Sequence, residues 1–285
     1  MSLTGRVALI TGASSGIGRA CARAFAAEGL RVVLVARRAD RLTQLAAEIT
    51  AAGGTALPLT ADVTSDADVD RVIADTLRHF SQLDIVLCNA GMGYHGSLEQ
   101  TTPDAMARLM DINYMGTFLV AHAALPHLKR QPHGHLLFVS SIVGKRGIAY
   151  GGAYSATKFA QAGLAEALRA ELLDTTVRVS AIYPISTETE FRDVIAREQG
   201  YRVKGHGPRQ SAEHVAASIV RCLKHPKPEV YPHWPSRLLV ILNALAPRLS
   251  DYVIRRFGRR PDSATPIAST SSASSASSPS STSRI

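Results

Sequence analysis

Tyr154 and Lys158 stand four residues apart, the spacing that puts two side chains on one face of a helix, one turn above the other. The pairing has a chemical use. A phenol with an ordinary pKa near 10 exchanges protons poorly at neutral pH. A neighbouring cation favours the phenolate and brings that pKa towards the working range. Alone, the pair is weak, because a tyrosine and a lysine at helical spacing usually form a solvated face. Its weight depends on whether other elements bring a reactive partner to the phenol.

The first such element opens the chain. Val7-Ala8-Leu9-Ile10 reads as a short apolar strand, Thr11 through Gly18 as a glycine-rich turn, and Arg19 to Gly29 as a helix. Strand, turn and helix start in this order form a dinucleotide-binding entry. Gly12 permits the tight turn, and Gly16 lets a pyrophosphate approach the backbone closely. Gly18 allows the helix to pack hard on the strand, and the helix N-terminus presents unpaired N–H groups and a positive dipole end to the anion. An isolated glycine triplet would be an ordinary loop; here the flanking elements sit where the mechanism requires them.

The glycines follow a Thr in the pattern Gly-x-x-x-Gly-x-Gly, and at this point the chain resembles the short-chain dehydrogenase/reductase family. Further marks of the family follow in order: Asp62-Val63 closing the third strand, Cys88-Asn89-Ala90-Gly91, Asn113 in the next long helix, and Ser140-Ser141, with Ser141 thirteen positions before Tyr154. The resemblance covers roughly residues 3–230. It implies that Gly12, Ser14, Ser15, Gly16, Ile17 and Gly18 line the pyrophosphate end of a nicotinamide cofactor, with Asp62 and Val63 at the adenine. Asn89, Ala90 and Gly91, with Pro184 and Thr187, would also line the cofactor, and Thr189 would touch its nicotinamide amide or its phosphates. It also implies hydride transfer at a carbonyl or alcohol carbon. Tyr154 would move the proton, Lys158 would tune it and hold the ribose, and Ser141 would bind the substrate oxygen. Asn113 would support a water that relays protons through Lys158. Two departures stand out: Cys88 where the family has Asn, and Ile185 where it often has Gly after the proline.

Which nicotinamide cofactor is a separate reading. An acidic residue ending the second strand takes ribose hydroxyls in NAD enzymes, whereas an arginine there accommodates the extra phosphate of NADP. The second strand, Arg31-Val32-Val33-Leu34-Val35, runs into Ala36-Arg37-Arg38, so the acidic position holds alanine and two guanidiniums follow. Guanidinium binds phosphate with a planar, two-pronged geometry. NADP(H) is expected over NAD(H), through Arg37 in the first place and Arg38 in the second.

The chain has 285 residues, 46% hydrophobic and 19% charged, an ordinary globular composition. Apolar runs at 7–10, 31–36, 55–60, 84–88, 134–140, 177–183 and 229–231 alternate with helical patterns. That alternation predicts an α/β fold, a Rossmann-like doubly wound parallel sheet of about seven strands with helices on both faces. Residues 1–232 are expected to form the oxidoreductase domain, with a substrate cap at 184–211. The cap carries Phe191, Val194, Ile195 and Tyr201, and a separate loop offers Gly93, Tyr94 and His95, which suggests a lipophilic substrate.

Residues 233–260 read as a basic, apolar helical extension. Arg237, Arg248, Arg255, Arg256, Arg259 and Arg260 lie in or beside the run Leu238 to Ala246. Nine helical residues span roughly 14 Å, too short to cross a bilayer of about 30 Å. Two readings stay open: an interfacial segment on anionic lipid, making a peripheral membrane protein, and a helix pair packed on protein. Residues 261–285, almost all Ser, Thr, Ala and Pro, are expected to be disordered. A net charge of +9 without aromatic interleaving or a helix-turn-helix does not point to nucleic acid.

The three cysteines, Cys21, Cys88 and Cys222, lack C-x-x-C spacing and read as reduced thiols of a cytoplasmic protein. No secretory signal is read at the N-terminus. His122, His127, His133 and His135 have no recognised ligand spacing, so no metal is expected. The resemblance implies a homodimer or homotetramer. The rival function is an NADPH-binding scaffold or sensor without turnover.

Overall fold

The computed structural model describes residues 2–199, 201–203, 207–255 and 264–266. The strands are β1 (Val7–Thr11), β2 (Arg31–Ala36), β3 (Thr55–Thr60), β4 (Ile85–Cys88), β5 (His135–Val139), β6 (Arg178–Ile182), β7 (Thr187–Glu188), β8 (Tyr201–Val203), β9 (Gln210–Ser211), β10 (Glu229–Val230) and β11 (Ala264–Pro266). Seven of them make one parallel sheet in the order β10-β6-β5-β4-β1-β2-β3. The order reverses between β1 and β4, which opens a crevice at the carboxyl ends of those strands.

Helices cover both faces: α1 (Gly16–Ala27), α2 (Ala39–Ala51), α3 (Asp66–Phe80), α4 (Pro103–Met110), α5 (Gly116–Leu128), α6 (Gly152–Glu171), α7 (Phe191–Gln199), α8 (Ala212–Lys224), α9 (Ser236–Leu245) and α10 (Pro247–Ile254). Strand parity divides the core. Ala8 and Ile10 of β1 face a cluster with Phe25, Leu45 and Ile219, whereas Val7 and Leu9 face one with Val72, Val120 and Ala165. Both faces are apolar, so the central strands read as unbroken hydrophobic runs. β3, at one edge, tolerates Pro58 because no further strand needs its missing N–H.

Asn113 sits on a π-helical turn, Asp111–Met115, wedged between α4 and α5. Such turns carry one extra residue into a helix and recur at functional sites. The segment expected to cap the site holds β7, α7 and β9, with β7 and β9 pairing in parallel. Of the tail expected to be without structure, Ala264–Pro266 pairs antiparallel with Tyr201–Val203; residues 267–285, like Arg256, Arg259 and Arg260, lie outside the described residues.

The extension is a helix pair broken at Ala246-Pro247. α10 is tied to the domain by Arg146, whose Nε donates to Ser250 Oγ at 3.0 Å and whose guanidinium pairs with Asp251. Ile254 is buried beside them. Among the described residues no helix is long and apolar enough to cross a membrane, and no group of three or more His, Cys, Asp or Glu side chains could hold a metal ion. Cys21, Cys88 and Cys222 are buried free thiols.

Candidate active site

The glycine turn links β1 to α1. Gly12 and Gly16 adopt left-handed φ of +67° and +54°, where a side chain is strained. Gly18 has an ordinary φ, but a Cβ there would lie 2.4 Å from the carbonyl oxygen of Gly12. Asn89, at the end of β4, braces this turn: its Nδ2 donates to the Thr11 carbonyl at 2.9 Å, and its N–H donates to Thr11 Oγ1 at 2.9 Å. Ala90 N–H shares Thr11 Oγ1 at 3.0 Å, so β1 and β4 are locked where the strand order reverses. Ser15, at the N-cap of α1, makes no side-chain capping bond. The first-turn N–H groups of α1 are therefore available to an anion, and Ile17 lies in that first turn.

Arg38 crosses from β2 to this turn. Its Nη2 donates to Ser14 Oγ at 2.9 Å and Ser15 Oγ at 3.0 Å, and its Nη1 donates to Glu190 at 3.2 Å. Arg37 points elsewhere, exposed, with Nη1 3.8 Å from Asp62 Oδ2. The two arginines therefore divide the space: Arg38 sits over the glycine-turn serines, and Arg37 sits beside the end of β3. Val63 is buried, and a Cβ on Gly116 would lie 2.7 Å from its Cγ2.

Tyr154 and Lys158 occupy successive turns of α6, with Lys158 Nζ 5.7 Å from the Tyr154 ring centroid. The Lys158 side chain is buried, and its Nζ donates to the Val139 carbonyl at 3.0 Å and to Gln161 Oε1 at 2.9 Å. Burial pushes its pKa down to about 7, because an ammonium loses its hydration there. Gly91 lies opposite; a Cβ there would reach Asn113 Oδ1 at 2.9 Å and Lys158 Nζ at 3.8 Å.

Gln161 is a member of this cluster that sequence reasoning missed. It is fully buried, and its Nε2 donates to the Asn113 carbonyl and to Thr117 Oγ1, both at 2.7 Å. Thr117 Oγ1 donates to the same Asn113 carbonyl at 2.7 Å. Both lone pairs of that oxygen are thus used. The side chain of Asn113 is engaged as well, with Met92 N–H, the Met92 carbonyl and Thr157 Oγ1. Gln161 thus joins the main chain of Asn113 to the Lys158 ammonium.

Strand parity separates the two serines after β5. Ser140 is buried and its Oγ donates to the Lys158 carbonyl at 2.9 Å, a structural tie to α6. Ser141 is half-buried, with only long contacts of 3.4 Å to the Pro184 carbonyl and Val143 N–H. Its hydroxyl remains available to a stronger partner. Tyr150, just before α6, takes a left-handed φ of 59° and accepts a hydrogen bond from Gly96 N–H at 2.9 Å, tying the loop after β4 to the start of α6.

The segment after β6 closes over these groups. Pro184 is buried, and Thr187 Oγ1 donates to the Ile185 carbonyl at 3.0 Å. A Cβ on Gly16 would meet the Thr189 methyl at 3.0 Å. Phe191 lies against the Tyr154 ring, centroids 5.9 Å apart. Gly93 is needed beneath, since a Cβ there would strike both Phe191 and Ile195. His95 is clasped by Gln199, whose Nε2 donates to the His95 carbonyl at 2.6 Å. The side chain of Tyr201 lies outside the described residues.

Every residue expected at the site comes from the carboxyl end of a parallel strand or from the loop or helix that follows it. The glycine backbone at Gly12 and Gly16, the unused first-turn N–H groups of α1 and an arginine over two serines suit the phosphates of a dinucleotide in charge.

A sequence model of the short chain dehydrogenase family matches residues 6–200. Dehydrogenase/reductase SDR family member 7B of Bos taurus is 34% identical over 257 residues, covering 85% of this chain and 78% of the relative. An alcohol dehydrogenase from Thermococcus sibiricus, solved with 5-hydroxy-NADP, is 31% identical with a TM-score of 0.71, covering 79% of this chain and 95% of that one. A short chain dehydrogenase/reductase from Burkholderia phymatum, solved with NAD, shares the fold with a TM-score of 0.80 at 24% identity, covering 87% and 96%. The chain belongs to the short-chain dehydrogenase family of oxidoreductases.

Proposed function

We propose that the protein catalyses NADP(H)-dependent interconversion of a carbonyl and an alcohol on a lipophilic small molecule. What supports this reading is Lys158 Nζ 5.7 Å from the Tyr154 ring on α6, facing Gly91 after β4, with the weakly engaged Ser141 hydroxyl just beyond the carboxyl end of β5. The cofactor, when bound, supplies the hydride. Gly12, Ser14, Ser15, Gly16, Ile17 and Gly18 hold its phosphates, Arg37 and Arg38 take the 2′-phosphate, and Asp62 and Val63 flank the adenine. Asn89, Ala90 and Gly91 form the wall of the groove, and Pro184, Thr187 and Thr189 cover its inner end.

In the reductive direction Tyr154 Oη donates its proton to the substrate oxygen. Ser141 Oγ hydrogen-bonds the same oxygen and steadies the charge developing there. Lys158, with its pKa near 7, favours the phenolate left behind and returns a proton to it at neutral pH. Gln161 holds Lys158 in line, and Asn113 supports a water that resupplies the proton through Lys158. Phe191, Val194 and Ile195 supply the apolar wall that favours a lipophilic substrate. The test is a carbonyl panel followed by NADPH and NADH absorbance, with mass spectrometry of co-purified ligand. NADPH-dependent turnover is expected. Binding without turnover on any substrate would favour the scaffold reading, and a lower KM for NADH would remove the cofactor preference.

A second reading concerns α9 and α10. Trp234, Leu238, Ile241, Leu245, Leu249 and Tyr252 are exposed, and Arg237, Arg248 and Arg255 are exposed around them. Asp251, the acidic residue of α10, is taken by Arg146. An apolar stripe rimmed by cations is complementary to an anionic bilayer surface, and we assign it peripheral membrane contact from the cytoplasm. Sedimentation with phosphatidylserine vesicles should fall on Leu238→Glu/Leu245→Glu; co-sedimentation unchanged by that pair would end the assignment. Exposed Met115, Phe118 and Phe159 on the π turn, α5 and α6 support a homodimer or homotetramer, which sedimentation velocity would measure.

A further inference from the structure

Thr189, Glu190 and Phe191 are consecutive, and each touches a different part of the site. The Thr189 methyl lies over Gly16. Phe191 lies against the ring of Tyr154, and its N–H donates to Thr189 Oγ1 at 3.3 Å. Between them, Glu190 reaches the arginines at the start of α2. One carboxylate oxygen accepts from Arg38 Nη1 at 3.2 Å, and both accept from Arg41 Nη1 at 2.6 Å. Arg38 is the guanidinium that also holds Ser14 and Ser15. Arg41 is one turn further along α2 and was not singled out by sequence reasoning.

A carboxylate on the arginines of a phosphate corner is an odd partner for a site meant to receive an anion. The three side chains are each about one-third to two-fifths exposed: 39% for Arg38, 36% for Arg41 and 41% for Glu190. Ion pairs at that exposure are weak and exchange readily for a stronger anion. A phosphate monoester is stronger, with close to two charges and three acceptor oxygens against a carboxylate's one charge and two.

We propose that Glu190 is a built-in competitor for the 2′-phosphate: it occupies Arg38 and Arg41 until a phosphate monoester on the adenosine ribose displaces it. Displacement frees the segment that carries Phe191 against Tyr154. Phosphate at one end of the crevice is thereby coupled to the wall of the reaction centre at the other. The coupling rests on the NADP reading given above, whereas the competition for Arg38 and Arg41 stands on the contacts themselves.

The test needs no substrate. Dissociation constants for adenosine 2′-monophosphate, adenosine 5′-monophosphate, NADPH and NADH are measured on the wild type, Glu190→Gln, Arg38→Met and the double variant. Glu190→Gln keeps the shape and removes the charge. Affinity for the 2′-phosphate ligands should rise about three- to tenfold, with the 5′-monophosphate and NADH moving less than about twofold. The gain should vanish when Arg38→Met is added. Equal shifts for NADPH and NADH would mean that Glu190 only props the segment. A selective loss of NADH affinity would mean that the carboxylate takes ribose hydroxyls; either result overturns the proposal, as does no change.

Amide hydrogen exchange supplies the second readout. Residues 189–192 should exchange faster in saturating adenosine 2′-monophosphate than in the 5′-isomer, and identical exchange would remove the coupling. A wild type that prefers NADH while Glu190→Gln still gains 2′-phosphate affinity would sink the cofactor preference and leave the competitor standing.

Discussion

Gln161 accepts a hydrogen bond from Lys158 Nζ at 2.9 Å inside the protein, and neither side chain has meaningful contact with solvent. The oxygen of a neutral amide favours the ammonium form, against the burial that pushes Lys158 down to about 7. Gln161→Met removes that acceptor at similar volume, so Lys158 should titrate lower. Gln161→Glu replaces it with a carboxylate, so Lys158 should titrate higher. The pH profiles of turnover and of cofactor Kd should shift in opposite directions in the two variants. Two variants that lose activity with unmoved profiles would reduce Gln161 to packing.

Tyr154→Phe removes the hydroxyl and keeps the ring that Phe191 packs against. Turnover should fall about 10²- to 10⁴-fold, the usual contribution of a positioned proton donor, while the Kd for NADPH stays within about twofold. Retained turnover would end the assignment of Tyr154.

The adjacent serines should separate function from stability. Ser140→Ala deletes a buried bond to the Lys158 carbonyl and should cost about 1 kcal/mol of stability, read from urea unfolding, with little change in KM. Ser141→Ala should leave the urea midpoint in place and lower kcat by about 10²-fold. The reverse pattern would exchange their roles.

His135 is buried, with its pKa pushed down to about 3 by burial and then by Arg6 and Arg178. Its Nε2 is 2.8 Å from Ser180 Oγ, whose own hydrogen goes to the Lys227 carbonyl, so the imidazole is the donor and is neutral. The folded pKa lies below the unfolded value of 6.5, so the unfolded state takes up the proton first as pH falls. Stability should drop between pH 6.5 and 3, at up to about 1.4 kcal/mol per unit. His135→Gln should flatten that part of the Tm–pH curve; a wild-type curve level to pH 4 would contradict the burial argument.

Two glycine substitutions should move stability in opposite directions. Gly18→Ala drives a methyl to 2.4 Å from the Gly12 carbonyl oxygen and should cost about 1–3 kcal/mol or more together with nucleotide binding. Gly163, inside α6, has nothing within 4 Å of its Cβ position, so Gly163→Ala should add about 0.5–1 kcal/mol. Thermal melts of both would measure the contrast.

The sheet was legible because its central strands are covered on both sides. Runs such as Val32 to Ala36 are apolar at every position, and no alternation was needed to find them. The tyrosine–lysine pair and the glycine turn were legible because their chemistry fixes short spacings. What stayed hidden depends on contacts between distant parts of the chain. Glu190 meets Arg38 across 152 positions, and no local pattern marks it. The π turn at Asp111–Met115 has no signature in residue type. Gln161 looks like a surface residue in sequence, and only the packing of α6 on the turn carrying Asn113 shows it buried. Order along the chain does not show that Arg38 lies over Ser14 and Ser15 while Arg37 lies beside Asp62; the direction in which each side chain leaves the end of β2 does.

Thr189, Glu190 and Phe191 leave that stretch of backbone without slack. Because neighbouring side chains are committed to three separate anchors, deleting or adding one amino acid would rotate every later side chain out of place at once. New substrate preferences should therefore arise here by exchange of one residue for another.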